Sequence, residues 1–285
     1  DEDLIEREDM VVTITLDGYI KRTPLSTFRA QNRGGKGRSG MATKEEDAVA
    51  NMFVTSTHTP VLFFSTAGKV YRMKVWRLPE GGPATRGRPV VNLLPALDQG
   101  ETIAAVLPLP EDEGEWSKLH VMFATAKGNV RRNAMDLFAN IPSNGKYAMK
   151  FEEESEDRLI GVALLSEGDD VLLASRQGKA IRFPADDVRE FQSRTSTGVR
   201  GMTLKANDKG EQDEVISLSI LHRVGVKDQD EREDYLRFAP WKAEKEGEPQ
   251  MAPERYAELA EKEQFILTVC ANGYGKLSSA YEYRR

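Results

Sequence analysis

Short apolar stretches recur along the chain, and each is followed by a glycine and then by a segment that carries a basic residue. The five glycines of this pattern are Gly18, Gly68, Gly128, Gly178 and Gly273. The residues six and four positions before each glycine are apolar: Val12, Leu62, Met122, Leu172 and Leu267, and then Ile14, Phe64, Ala124, Ala174 and Val269. Because alternate residues of a strand face the same side, this spacing predicts a strand before every glycine.

A turn is predicted at each glycine. The residue three positions earlier is small in all five copies, which hold Thr15, Ser65, Thr125, Ser175 and Cys270. The dipeptides that end on the glycines predict two-residue turns followed by a returning strand: Asp17-Gly18, Ala67-Gly68, Lys127-Gly128, Gln177-Gly178 and Asn272-Gly273. Each copy therefore begins with a β-hairpin.

The length of the repeat indicates the fold class. After the hairpin comes a second polar stretch with glycine (31–37, 85–89, 143–146 and 196–201), and beyond it an apolar strand such as 90–94 or 159–165. Four strands in a period of about 50 residues are typical of a propeller, in which each unit buries its apolar face against its neighbours. We predict an all-β, propeller-like disc of four-stranded blades.

Residues 227–264 interrupt the repeat. They contain 12 acidic and 7 basic residues. Glu254 to Glu263 is rich in helix formers and follows Pro253, which predicts a short helix within an exposed acidic loop. We expect this insertion to modulate function, as a contact with another part of a larger enzyme or as an acidic competitor along a DNA path.

The net charge of −6 would at first argue against nucleic acid as a partner. The insertion accounts for −5 of it, and Tyr19 to Thr43 carries six basic residues without an acidic one. In that segment, Arg33-Gly34-Gly35-Lys36-Gly37 lacks the residues of a nucleotide-binding loop, but its backbone N–H groups suit close approach to a phosphate backbone. A solvated turn is the alternative interpretation.

One arginine recurs four residues after each of the first four glycines, as Arg22, Arg72, Arg132 and Arg182. One cation per blade would suit DNA wound around a disc, because bending 20–30 base pairs by 40–90° costs about 1–6 kcal/mol and needs contacts along the whole path. Arginine stems that cover the edge of the core are the alternative. Contacts to phosphates would bind more weakly as salt rises.

Other chemistry is not indicated. Cys270 is the single cysteine and occupies the small-residue column, which predicts a structural thiol, and the three histidines lie far apart. We expect no catalytic residue, metal or cofactor in this chain. With neither an apolar run of about 18 residues nor a signal peptide, it is predicted to be cytoplasmic and not attached to a membrane.

Residues 31–37, Gln-Asn-Arg-Gly-Gly-Lys-Gly, resemble the signature box of the family of DNA gyrase A C-terminal domains, with Asn32 in place of the usual arginine. The resemblance extends through 8–12, 73–75, 86–95, 197–202 and 272–276, and covers about 4–226 and 265–285. It implies that residues 1–285 form a β-pinwheel domain, six-bladed in the family, with four full blades and part of a fifth here.

The family resemblance also implies a function and partners. The domain would wrap double-stranded DNA around its rim so that gyrase, an ATP-dependent type IIA topoisomerase and thus an isomerase, introduces negative supercoils. The same subunit's N-terminal cleavage domain and the B subunit would complete a heterotetramer of two A and two B subunits near the nucleoid. ATP and Mg²⁺ would act through those other domains. The alternatives are a propeller that binds proteins, or the related A subunit of topoisomerase IV.

The predicted DNA contacts comprise the box, its neighbour and basic residues of the repeats. They are Gln31, Asn32, Arg33, Gly34, Gly35, Lys36, Gly37, Arg38, Lys21, Arg22, Lys69, Arg72, Lys74, Arg86, Arg88, Arg131, Arg132, Lys146, Lys179, Arg182, Arg200 and Lys276.

Overall fold

The structure, a computed structural model, describes residues 2–28, 47, 49–95, 97–270 and 274–284. The predicted contacts from Gln31 to Arg38 lie outside these ranges, as does Gly273.

The described residues form an all-β fold with two added α-helices. The strands are β1 (Asp9–Thr15), β2 (Tyr19–Pro24), β3 (Val49–Ser56), β4 (Pro60–Ser65), β5 (Lys69–Lys74), β6 (Arg88–Pro89), β7 (Ile103–Pro108), β8 (His120–Thr125), β9 (Asn129–Ala134), β10 (Lys146–Tyr147), β11 (Leu159–Leu165), β12 (Asp169–Ser175), β13 (Ala180–Pro184), β14 (Glu190–Phe191), β15 (Val199–Arg200), β16 (Val215–His222), β17 (Phe265–Val269) and β18 (Gly275–Ser279). The helices are α1 (Gln229–Phe238) and α2 (Pro253–Glu261).

Short 3-10 turns follow several of the returning strands. They lie at Leu25–Thr27, Val75–Arg77, Met135–Phe138, Ala185–Asp187 and Ala280–Glu282, and further ones lie at Glu2–Leu4, Val90–Asn92 and Glu113–Lys118.

The strands pair into four blades and one further hairpin. Their orders are β3-β1-β2-β6 in the first sheet, β10-β5-β4-β7 in the second, β11-β8-β9-β14 in the third with β15 also on β9, β13-β12-β16 in the fourth, and β17-β18 in the fifth. The four blades, antiparallel except for the parallel pair of β14 with β9, form a propeller, as the repeat predicted. The fourth sheet has three strands within the described residues.

The outer strand of a blade comes from the following repeat. β6 follows the hairpin of the second sheet in the chain but pairs with β2 of the first, and β10 likewise pairs with β5 of the second. The polar stretches 85–89 and 143–146 therefore reach back to the preceding blade. The strand predicted at 90–94 is wrong, because Val90–Asn92 forms a 3-10 turn. β7 supplies that strand instead, while the strand at 159–165 is confirmed.

The first four hairpin turns have three residues, not two. In the first, the amide of Gly18 donates to the carbonyl of Thr15 (3.0 Å) and Gly18 has a φ of 81°, which favours glycine. The hydroxyl of Thr15 accepts a hydrogen bond from the Tyr19 amide (3.1 Å), which explains why a small hydroxyl residue stands three positions before the glycine. Ser65, Thr125 and Ser175 do the same for the residue after their glycine. Cys270 differs, since it is exposed.

The core fills the spaces between neighbouring sheets. On β4, Val61 and Phe63 pack with the first sheet, whereas Leu62 and Phe64 pack with the third. Both faces of the strand are buried, so its apolar residues are continuous and not alternating. The rings of Phe64 and Phe123 meet edge to face, with centroids 5.6 Å apart.

The segment 227–264 is more ordered than an exposed loop. The predicted helix is confirmed as α2, but a second helix, α1, was not predicted. Tyr235 of α1 and Leu259 of α2 are fully buried and pack on Tyr281, which follows β18. The Tyr281 hydroxyl donates to the Leu259 carbonyl (2.9 Å). The segment therefore braces the fifth hairpin. None of the described helices has both the length and the apolar character to cross a membrane.

Candidate nucleic-acid interface

The recurring arginines connect neighbouring blades. Each guanidinium donates to a backbone carbonyl beside the 3-10 turn of the next sheet: Arg22 to Leu78 (2.9 Å), Arg72 to Ala139 (2.9 Å), Arg132 to Val188 (2.8 Å) and Arg182 to Ala280 (2.9 Å). Each also pairs with a carboxylate, of Glu80, Glu113, Asp186 and Asp170 respectively. Their side chains are only 9–22% exposed. These contacts support the packing interpretation of the column.

Two other predicted contacts, Lys21 and Arg131, have no exposed surface. The Lys21 ammonium donates to the carbonyls of Gly82, Pro83 and Thr85 (2.8–3.1 Å), and burial lowers its pKa. Burial, with a smaller effect of the neighbouring Arg194 charge, lowers the pKa of Arg131 to about 10. Both side chains hold backbone segments together.

The outer strands carry cations that are more accessible. Arg88 of β6 and Arg200 of β15 are exposed, and neither side chain has a hydrogen bond or ion pair with a described residue. Beside Arg88, the guanidinium of Arg86 stacks 3.6 Å from the ring centroid of Tyr19. Arg88 and Arg200 lie on the strands that the following repeats add to the first and third blades, and Arg86 precedes the first of these strands.

The densest group surrounds Tyr147 on the outer strand of the second blade, and we call Lys146, Lys150 and Arg194 the outer-strand cluster. The Arg194 guanidinium donates to the Tyr147 carbonyl (2.9 Å), and the Lys150 ammonium lies 5.1 Å from the Tyr147 ring centroid. Lys146 donates to the carbonyls of Leu137 (2.9 Å) and Asn140 (2.6 Å).

The three members of the outer-strand cluster are all cationic. No cluster member forms an ion pair with a described acid. Burial and then the Arg194 charge lower the pKa of Lys146, so these cations repel one another. Such a group generates a positive potential that attracts a polyanion. The sequence predicted Lys146 but missed Lys150 and Arg194, which lie outside the polar stretches 143–146 and 196–201.

The hairpin turns are acidic by contrast. The carboxylates of Asp47, Asp157 and Asp213 accept from the turn amides of Asp17, Lys127 and Gln177 (2.9–3.0 Å). Burial opposes ionisation of Asp213, but bonds from the Ser175 hydroxyl and two backbone amides hold its pKa below the ordinary value. The predicted contact Lys69 pairs with Asp98 (2.9 Å) and Glu101 (3.4 Å) near another turn.

The remaining predicted contacts have mixed surroundings. Lys74 donates to the His58 carbonyl (3.0 Å) and pairs with Glu2 (2.9 Å). Lys179 and Lys276 are exposed on the fourth and fifth hairpins. Contact of any of these residues with DNA remains a prediction.

Comparison with known proteins identifies the family. The model of the family described as "DNA gyrase C-terminal domain, beta-propeller" matches residues 9–56, 59–110, 119–166 and 169–221. The chain belongs to this family. The resemblance predicted from the signature box is confirmed, and residues 222–264 lie outside the matched repeats.

Curated relatives of the gyrase family agree. The chain is 50% identical to the DNA gyrase A subunit of Rickettsia bellii over 294 residues, covering 99% of this chain and 31% of the relative. It is 49% identical to the same protein of Granulibacter bethesdensis, covering 100% and 32%, and 46% identical to that of Escherichia coli, covering 99% and 26%. The chain thus spans about a third or less of the length of these relatives.

Solved structures show the same fold. A DNA gyrase A C-terminal domain matches with a TM-score of 0.62 and 20% identity, covering 97% of this chain and 73% of that one. A topoisomerase IV C-terminal domain matches with a TM-score of 0.61 and 24% identity, covering 77% and 63%. The two TM-scores are nearly equal, so the fold does not distinguish gyrase from topoisomerase IV. The family assignment therefore rests on the matching family model and on the gyrase relatives.

Proposed function

We propose that this chain bends and wraps duplex DNA around the outer strands of its blades, so that gyrase can introduce negative supercoils with ATP. The observation that carries the proposal is the outer-strand cluster of Lys146, Lys150 and Arg194, which has no acidic partner among the described residues. Arg88 and Arg200 extend the cationic surface along the outer strands of the neighbouring blades. Family membership supports the same role.

The structure alters which residues we expect to touch DNA. Arg22, Arg72, Arg132 and Arg182 direct their guanidinium groups at carbonyls and carboxylates of the protein. We therefore assign the phosphate contacts mainly to the outer strands. The signature box keeps its predicted role, in which Arg33 and Lys36 bind phosphates and the glycines allow close approach.

The spacing of the cations explains how a rigid disc could bend DNA. Bending 20–30 base pairs by 40–90° costs about 1–6 kcal/mol. Phosphate contacts on successive blades would offset this bending energy, since each blade binds the next part of the duplex. Contacts to phosphates carry little base specificity, so sequence preference would follow the deformability of the duplex.

The rest of the enzyme would supply the chemistry. We propose that DNA cleavage belongs to the same subunit's N-terminal domain and that ATP hydrolysis with Mg²⁺ belongs to the gyrase B subunit, in a heterotetramer of two A and two B subunits. On this proposal the chain acts in the cytoplasm at the nucleoid, without catalytic residues of its own.

The test is a charge-neutralised outer-strand cluster, Lys146→Gln, Lys150→Gln and Arg194→Gln. Glutamine keeps a donor for the carbonyls while it removes the charge. Each lost phosphate contact should reduce the salt dependence of binding, the slope of log K against log salt, by about 0.9, or about 2.7 for three contacts. The measurement is duplex affinity over a range of salt concentrations.

The matched control removes three charges elsewhere. Lys242, Lys245 and Lys262 are exposed and lie in the acidic segment 227–264. Their replacement by glutamine changes the net charge equally but should leave the salt slope within about 0.5 of the wild-type value. Equal losses in the two triple variants would mean that the cluster contributes only its net charge, and the assigned interface would be wrong.

A further inference from the structure

A cavity of about 330 Å³ lies where the fourth sheet, the beginning of α1 and the turn after β18 meet. Four arginines line it: Arg182, Arg223, Arg232 and Arg284. Arg182 belongs to the fourth sheet, Arg223 and Arg232 belong to the connection after β16 and to α1, and Arg284 follows the last turn. The topology therefore brings together cations that are far apart in the sequence.

Asp170 fixes two of these arginines. Its carboxylate is fully buried and accepts from Arg182 Nε (3.0 Å) on one oxygen and from Arg223 Nε (3.0 Å) on the other. Arg182 also donates to the carbonyls of Ala280 (2.9 Å) and Tyr283 (3.3 Å). Both guanidinium groups are held in place before any ligand arrives, which lowers the entropic cost of binding.

The Arg223 guanidinium is incompletely satisfied. Its Nη2 atom is buried and has no hydrogen-bond partner among the described residues. Buried N–H groups without an acceptor are uncommon in folded proteins. The described acceptors therefore satisfy the arginine donors around the cavity only in part.

Arg232 is a second cation of the cavity that is only weakly paired within the protein. Its side chain is only 14% exposed, yet its one ion pair with a described residue is a long contact of 3.8 Å to Glu233. It lies in α1, whose first turn is already capped by the Asp228 carboxylate, so the attraction for an anion comes from the guanidinium groups. Asp170, Asp228, which caps α1, and Glu233 are the acids that the described residues place at these arginines, so four guanidinium groups face three carboxylates.

We propose that this arginine pocket binds a backbone phosphate of duplex DNA through Arg232 and Arg284, while Arg182 and Arg223, which Asp170 holds, form its wall. Planar guanidinium groups match the oxygens of a phosphate with paired hydrogen bonds. The opening is accessible, because Arg284 is exposed and the Arg223 side chain is 30% exposed. The beginning of α1 would then lie beside the DNA path, in contrast to the competing role expected from the composition of segment 227–264.

This inference rests on the proposed function, and the test separates the two. In the 285-residue chain, Arg232→Gln with Arg284→Gln removes two pocket cations that do not hold Asp170. Arg237→Gln with Lys227→Gln is the control, since these residues belong to α1 or flank it and lie outside the pocket lining. We expect the pocket variant to bind duplex DNA about five- to tenfold more weakly and to lose about 0.9 from the salt slope, while the control changes less than about twofold.

Three further outcomes are distinguishable. An unchanged affinity of the pocket variant, with a weakened outer-strand cluster variant, would overturn the pocket and leave the proposed function standing. If inorganic phosphate raises the melting temperature of the wild type but not of the pocket variant, while DNA affinity stays equal, the pocket takes free phosphate and the DNA assignment is wrong. Wild-type protein without any duplex affinity would overturn both.

Discussion

Replacement of Arg131 by methionine should destabilise the fold without removing a DNA contact. The side chain is fully buried and donates to Asn133 Oδ1 (2.6 Å) and to the carbonyls of Arg194 (3.0 Å), Ser196 and Ala148. Methionine would keep part of the apolar volume but leave these four acceptors without their donor. Loss of a buried, charge-assisted network of this kind costs about 3–5 kcal/mol.

The assay is denaturant unfolding together with duplex binding. Arg200→Met is the control, because Arg200 is exposed on β15, the strand that pairs with β9 where Arg131 lies. We expect Arg200→Met to change the free energy of unfolding by less than about 0.5 kcal/mol and to weaken binding. If Arg131→Met cost less than about 1 kcal/mol and still lowered DNA affinity, the buried-network account would be refuted.

Three further changes test the fold. Both Gly18 and Gly68 have positive φ, but only at Gly68 would a Cβ overlap a carbonyl, that of Met149. Gly68→Ala should therefore lower the free energy of unfolding by about 2–5 kcal/mol, and Gly18→Ala by only about 1–2 kcal/mol, measured by thermal or denaturant unfolding. Because the pKa of Asp213 is lowered in the folded state, its ionised carboxylate stabilises the fold above the ordinary pKa of 3.8, and this stability is lost as pH falls through the lower pKa of the folded state. Asp213→Asn should reduce this loss of stability at acidic pH in unfolding measured against pH. Leu259→Ala should cost about 2–5 kcal/mol and increase amide exchange in the fifth hairpin, and unchanged exchange would show that the helices do not brace it.

The repeat made the fold predictable, because each hairpin is local and its signals lie within a few residues. The column from Thr15 to Ser175 was visible in the sequence as small residues, and its hydroxyl bonds explain why. The outer strands were not predictable in the same way. β6 and β10 have two residues each and pair with the preceding blade, so neither length nor periodicity marks them.

The site was predictable in composition but only partly in position. The sequence showed that arginine recurs once per blade, yet spacing could not show that Arg72 or Arg132 reaches a carbonyl of the next blade. The helix α1 was missed because its charged residues hide the apolar pair Tyr235 and Phe238. Asp228, with a glutamate three residues later, was the available signal for the start of that helix.

Duplex length is the variable that tests wrapping most directly. We would measure the affinity of the wild-type chain for linear duplexes of increasing length at two salt concentrations. A DNA path along several outer strands predicts affinity that rises with duplex length and falls steeply with salt, because longer duplexes reach more cations. Affinity that is independent of length, or that does not respond to salt, would contradict wrapping around the outer strands.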